Sequence, residues 1–301
     1  MNTEYISSLY YIRTQFALYV SIPIYFISFI SELFSIIVLL SLKTFRQSSC
    51  AFYLLFMSIF NFIRLIFSTS FVVISMAFPV DWTSAIVYYC SIRNLVVATC
   101  VISAVTMLCL AIIDQYLATC SRPQWQQWST IRLAHRLTII VSILWTIHAI
   151  SYMIFFRQLS LINTAICASS DPIFFQYHIY GYVLTLSNLI PFVAIIFGIL
   201  SYRNARTLTT RINPLVRREL DKQLTIMVLV EICVYVCTYF PYSITSGFLS
   251  LNTNRDPVVL AQMNLINAVT LTKLTIDLIL WQMYNTMSST KMLNILIKDL
   301  L

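Results

Sequence analysis

The sequence predicts an all-α bundle of seven membrane-spanning helices with its N-terminus outside the cell, and three observations carry that expectation. Of 301 residues, 59% are hydrophobic and only 10% charged, with a mean hydropathy of +0.82, whereas soluble domains carry about 25% charged residues. The apolar residues gather into seven stretches, near 17–42, 51–78, 88–114, 137–156, 177–202, 224–249 and 258–284. Each is too long for a barrel strand of about 10 residues, and each must satisfy its backbone internally, so helices are required. The basic residues alternate between sides: Lys43, Arg46, Arg122, Arg132, Arg136, Arg203, Arg206, Arg211, Arg217, Arg218, Lys222, Lys291 and Lys298 fall on one side and only Arg13, Arg157 and Arg255 on the other. The excess of Lys and Arg marks the cytoplasm. The net charge of +8 is therefore a topological signal suited to anionic membrane lipid, and no nucleic-acid partner is implied.

Taken in order, residues 1–16 form the expected extracellular N-terminus, residues 17–285 the transmembrane domain and residues 286–301 a cytoplasmic tail. Glu4 and Arg13 precede the first apolar run, which is too long for a cleavable signal peptide and is expected to insert as a span. Within it lies Glu32, and the second span carries Asn61 and Arg64. The third stretch opens at Cys90 and Arg93 and closes at Asp114-Gln115-Tyr116. At about 1.5 Å per residue the distance from Cys90 to Gln115 is roughly 37 Å, enough to cross a hydrocarbon core of about 30 Å. The fifth span contains Pro191 and the sixth Glu231 and Pro241, which removes a helix hydrogen bond and kinks the segment. The loop 203–222 between them carries six basic side chains. Lys273 and Asp277 lie in the seventh span. After it, Ser288 or Ser289 can cap an amphipathic helix that turns Met292, Leu293, Ile295 and Leu296 toward lipid.

Eight cysteines are present, and Cys50, Cys100, Cys109, Cys120, Cys233 and Cys237 lie within spans or on the cytoplasmic side. Only Cys90 and Cys167 belong to the oxidising face, which makes a disulfide between them the expected state and two free thiols the alternative. Such a bond would tie the longest outer loop, 157–176, across the top of the third helix.

A cysteine opening the third span, a partner in the second outer loop, and an acidic-polar-Tyr triplet 25 residues on resemble the rhodopsin-like (class A) family of G-protein-coupled receptors. Trp145, Pro191 and Tyr239-Phe240-Pro241-Tyr242 occupy further family landmarks. The segments Ser41-Leu42-Lys43-Thr44-Phe45-Arg46 and Leu220-Asp221-Lys222-Gln223-Leu224 look like those of lineage-expanded invertebrate orphan receptors. The resemblance implies a plasma-membrane receptor, not an enzyme, that binds an extracellular ligand and engages a heterotrimeric G protein, with no cofactor. Asp114, Gln115 and Tyr116 are the implied coupling residues, although Gln115 stands where the family has Arg. Gln can hydrogen-bond but carries no charge. Glu231 faces roughly the same region and is expected to accept a bond from Gln115. A normally coupled receptor and a non-coupling decoy both stay open.

By the same resemblance Glu32, Asn61 and Asp277 face one another in the core. An intramembrane carboxylate costs about 2.5–3.5 kcal/mol at a helix centre unless partnered. One network with Lys273 as counter-charge is expected; separate protonated carboxyls bonded to nearby hydroxyls are the alternative. Tyr239 would be the aromatic toggle beneath the ligand, and Pro241 the hinge.

The amine-binding branch needs an Asp where Val97 stands, and the photoreceptor branch a Lys where Leu271 stands. Arg64, Arg93 and Tyr242 instead suit an anionic group such as a peptide carboxylate or an acidic small molecule. Arg93 has the alternative of snorkelling to lipid phosphates. A metal hydrolase would need clustered ligands, and His135, His148 and His178 are dispersed along the chain. An odd span number and three glycines disfavour a repeat-built transporter, and the charge asymmetry disfavours an inverted ligand-gated channel.

Overall fold

The computed structural model describes residues 2–41, 48–77, 88–120, 122–161, 164–169 and 171–207, together with positions 226, 228–230, 232–237, 239–241, 243–245, 247, 258, 261–262, 265–266 and 269. Among these, six helices are long and apolar enough to cross a membrane: Glu4–Ser41, Ser49–Thr69, Tyr89–Thr119, Ile131–Phe155, Pro172–Asn204 and Val228–Thr245. They are the first to sixth spans, and the chain is an all-α seven-helix bundle. The expected seventh span is described only at isolated helical positions up to 269, and the expected amphipathic tail helix lies outside the described residues.

Helix starts follow local chemistry. Ser48 accepts from the Ala51 amide at 3.4 Å and opens the second span, and Thr130 accepts from the Leu133 amide at 3.4 Å and opens the fourth. Asp171 accepts from the Ile173 amide at 2.7 Å, with Pro172 in the first turn, and opens the fifth. Each cap satisfies amides that have no partner within the helix.

The first span departs from expectation. Asn2–Phe16, expected to precede the membrane, is helical and continues through a π-helical turn, Ala17–Ser21, into Ile22–Ser41. Forty residues of continuous helix reach about 60 Å, roughly twice the hydrocarbon thickness. The helix therefore projects well beyond the bilayer. Further π segments interrupt the second span at Leu65–Thr69 and the fifth at Tyr177–Leu186.

The all-α expectation needs one addition. The second outer loop holds an antiparallel hairpin, β1 Phe156–Leu161 and β2 Thr164–Ser169, in which Gln158 pairs with Cys167. Ser91 Oγ donates to the Phe156 carbonyl at 2.7 Å and fastens the base of β1 to the third span.

At the centre stands the third span, which packs on the second, fourth and fifth. Its residues Ala104, Met107, Leu108, Ala111 and Ile112 share the inner-half core with Cys50, Tyr53, Leu54 and Met57 of the second span, Ala134 of the fourth, Ala194 of the fifth and Val228 and Ile232 of the sixth. A second cluster, in the outer half, joins Ala98 and Ile102 to Ala149, Tyr152, Phe174, Tyr182 and Val183. The fourth span presents Ile139, Ile140, Ile143, Leu144 and Ile147 outward, as a helix flanked by lipid does. Trp145 turns inward and donates from Nε1 to Thr106 Oγ1 at 3.1 Å.

Candidate functional site

Polar groups that the apolar sequence cannot use for packing collect at three depths. At the cytoplasmic end, the third span outlasts its expected end by about a turn and keeps Asp114 and Gln115 inside the bundle, 8% and 3% exposed. Ser49 Oγ donates to Asp114 Oδ2 at 2.6 Å, and Ser49 and Ser129 hydroxyls lie 3.3 Å apart. Asp114 thus joins the third span to the start of the second and to the inner loop before the fourth. A charge-assisted bond of this kind is worth about 1.5–3 kcal/mol.

Gln115 lies one residue further along. Its Oε1 is buried with no hydrogen-bond partner among the described residues, and its own carbonyl accepts from Thr119 Oγ1 at 2.8 Å. Glu231, the expected partner, lies outside the described residues. The Tyr116 ring meets Phe197 of the fifth span edge-on at 5.4 Å. The triplet therefore faces three ways: Asp114 toward the second span and inner loop, Gln115 into the interior, Tyr116 toward the fifth span.

In the middle of the bundle, Glu32 is 2% exposed and acts electrostatically on Arg64, which also lies within reach of Tyr235, Cys100 and Tyr239. Phe29 and Phe62 rings, 5.0 Å apart, hold the first and second spans together beside this pair. The expected counter-charge, Lys273, and the expected third member, Asp277, fall outside the described residues. Asn61 is half-buried and makes no side-chain hydrogen bond among the described residues. Arg64, expected to line an outer pocket, is half-buried one turn past Asn61 on the second span. Tyr239 is buried and stacks on Tyr235 at 5.0 Å and 14°. Beyond it, Ser243 Oγ donates to the Tyr239 carbonyl at 2.9 Å and Thr245 Oγ1 to the Pro241 carbonyl at 3.0 Å. Such back-bonding bends helices, here on the stretch that Pro241 already weakens.

At the outer end, Cys90 is buried and disulfide-bonded, while Cys100, Cys109, Cys120, Cys233 and Cys237 are free thiols. The Cys167 side chain and Tyr242 lie outside the described residues. Arg93, one turn below Cys90, has a buried Nε with no hydrogen-bond partner among the described residues.

Two of the three histidines, dispersed in sequence, meet here. His148 Nε2 lies 2.7 Å from the Tyr177 hydroxyl and His178 Nδ1 3.1 Å from the Tyr152 hydroxyl. Both imidazoles stack on Tyr182, at 6.1 and 5.7 Å. Sequence reasoning missed this box because its members come from spans whose relative rotation no local pattern encodes. Its only advance sign was the density of aromatics in Tyr177-His178-Ile179-Tyr180-Gly181-Tyr182.

No group of three or more metal-ligating side chains occurs among the described residues. A model of the family described as "7 transmembrane receptor (rhodopsin family)" matches residues 32–287. No curated protein matches the chain.

Proposed function

Since the chain belongs to the rhodopsin family of seven-transmembrane receptors, a family of multi-pass plasma-membrane proteins, we propose that it transduces binding of an extracellular ligand to a cytoplasmic heterotrimeric G protein. The favoured ligand is a peptide or an acidic small molecule and not a biogenic amine. The single observation that supports coupling most is the inner end of the third span, where Asp114 is held by Ser49 at 2.6 Å and Gln115 keeps a buried acceptor that no described residue meets.

Three layers divide the work in this reading. The outer layer takes the ligand between Arg93 and Tyr242, under a lid that a Cys90–Cys167 bond pins to the third span. The middle layer, Glu32, Arg64, Asn61, Asp277 and the Tyr235–Tyr239 stack, registers the ligand above it. Pro241 lets the inner half of the sixth span move, with Glu231 travelling on it. The inner layer, Asp114, Gln115 and Tyr116, meets the G protein. Gln115 there supplies an amide that both donates and accepts, in place of a fixed cation.

The test is nucleotide exchange on purified heterotrimeric G proteins by the receptor in nanodiscs, driven by fractionated peptide and acidic-metabolite pools. Exchange driven by at least one pool and lost in Gln115→Ala is expected. Ligand-dependent current or flux without any G protein would overturn the proposal, and binding with no exchange across all G-protein classes would favour the decoy.

A further inference from the structure

The outer end of the second span lies between two arginines. On one side, the N-terminal helix carrying Arg13 packs along Ser70–Ala77. On the other, the third span docks on the same stretch: the Tyr89 hydroxyl donates to the Phe67 carbonyl at 3.4 Å, and the Phe71 and Tyr89 rings lie 4.6 Å apart. Arg93, one turn below Tyr89, acts electrostatically on that phenol. Arg13 and Arg93 share an unusual condition, in that each has a buried Nε with no acceptor among the described residues. Acidic side chains near the outer surface are scarce among those residues. Glu4 is exposed in the first helical turn, and Asp171 is occupied in capping Ile173 and Phe174. Arg64, deeper in the second span, lies within electrostatic reach of Glu32. Among the described residues, two arginines of the outer mouth thus flank one helix end, each with a buried Nε that no acceptor meets.

We propose that Arg13 and Arg93 form a two-point anion site over the outer end of the second span, for an extracellular dicarboxylate. Planar guanidinium forks match carboxylates in bidentate geometry, and two of them separated by a helix end select a ligand with two anionic groups over one with a single charge. Arg13 belongs to the site because the first helix continues outward past the membrane instead of ending at its surface. The inference rests on the ligand-transducing reading above and adds to it the ligand's charge and the residue that binds its second end.

The experiment measures thermal stabilisation of the purified full chain in zwitterionic nanodiscs by a series from succinate to azelate, against butyrate and against sodium chloride at matched ionic strength. A chain-length optimum is expected, with butyrate at least ten-fold weaker. Arg13→Gln and Arg93→Gln should each weaken the best dicarboxylate ten-fold or more, while Arg13→Lys and Arg93→Lys recover part of the loss and show that the fold survives. Equal stabilisation by butyrate, indifference to either Gln variant, or no stabilisation by any dicarboxylate would overturn the site. So would stabilisation that tracks added phosphatidylserine alone, which would assign the anion to a lipid headgroup. Nucleotide exchange driven by another ligand with no dicarboxylate effect would sink this site and leave the receptor reading intact; stabilisation without exchange on any G protein would do the reverse.

Discussion

Gln115 and Asp114 are neighbours with opposite circumstances, and each yields a measurable consequence. The Gln115 Oε1 atom is buried and unpartnered among the described residues, a condition that costs about 1–3 kcal/mol in a folded protein. Gln115→Leu removes the polar atom while keeping the volume, so it should raise the thermal unfolding midpoint while abolishing ligand-driven nucleotide exchange. A variant that lost both stability and exchange would show instead that Gln115 has a partner in the resting state. Asp114 gains what Gln115 lacks, through Ser49 at 2.6 Å. In a cycle of Ser49→Ala, Asp114→Asn and the double variant, unfolding in detergent should show a coupling of about 0.5–3 kcal/mol, and additive behaviour would refute the bond. The importance of Asp114 was visible in the spacing from Cys90. Its partners were not, since Ser49 and Ser129 stand 65 and 80 residues apart from Asp114 and Ser49 respectively.

Between elements, the fifth and sixth spans approach closely at Gly198, where an added Cβ would lie 2.7 Å from Leu229 Cδ2. Gly198→Ala should be tolerated after a small shift of Leu229, whereas Gly198→Val should destabilise by about 1–3 kcal/mol, as overpacking does; thermal unfolding of the pair decides it. At the outer face, the hairpin β1–β2 is expected to be held twice, by Ser91 on Phe156 and by a bond from Cys90 to Cys167. Cys90→Ser and Cys167→Ser should then reduce surface delivery to the same degree, with no further loss in the double variant. Unequal or additive losses, read by surface labelling in unpermeabilised cells, would break the pairing. Apolar runs located the second to sixth spans to within a few residues, because hydrophobic length is dictated by bilayer thickness. The first span escaped that rule: Asn2–Phe16 is not apolar enough to be read as membrane helix, and nothing in its composition stops a helix that the following span has already nucleated.

Across the whole molecule, the Glu32–Arg64 pair links the first two spans to the Tyr235–Tyr239 stack of the sixth. Opposite charges within electrostatic reach in a low-dielectric interior are coupled, so removing one leaves the other less compensated. Glu32→Gln alone and Arg64→Gln alone should therefore destabilise strongly, and the double variant should recover most of the loss. Full additivity, measured by thermal unfolding, would mean that the two charges are compensated elsewhere. By itself the sequence determined the class of molecule, its orientation and the span that organises it. Those properties depend on transfer of apolar length into lipid and on the placement of positive charge, and both are sums over local composition. Only the tertiary structure decided that Glu32 comes within electrostatic reach of Arg64, that Asp114 is met by Ser49, that His148 and His178 share Tyr182, and that the helix carrying Arg13 packs on Ser70–Ala77. Such pairings depend on how each helix is rotated and set in depth against its neighbours, and that is settled by packing among segments far apart in the chain.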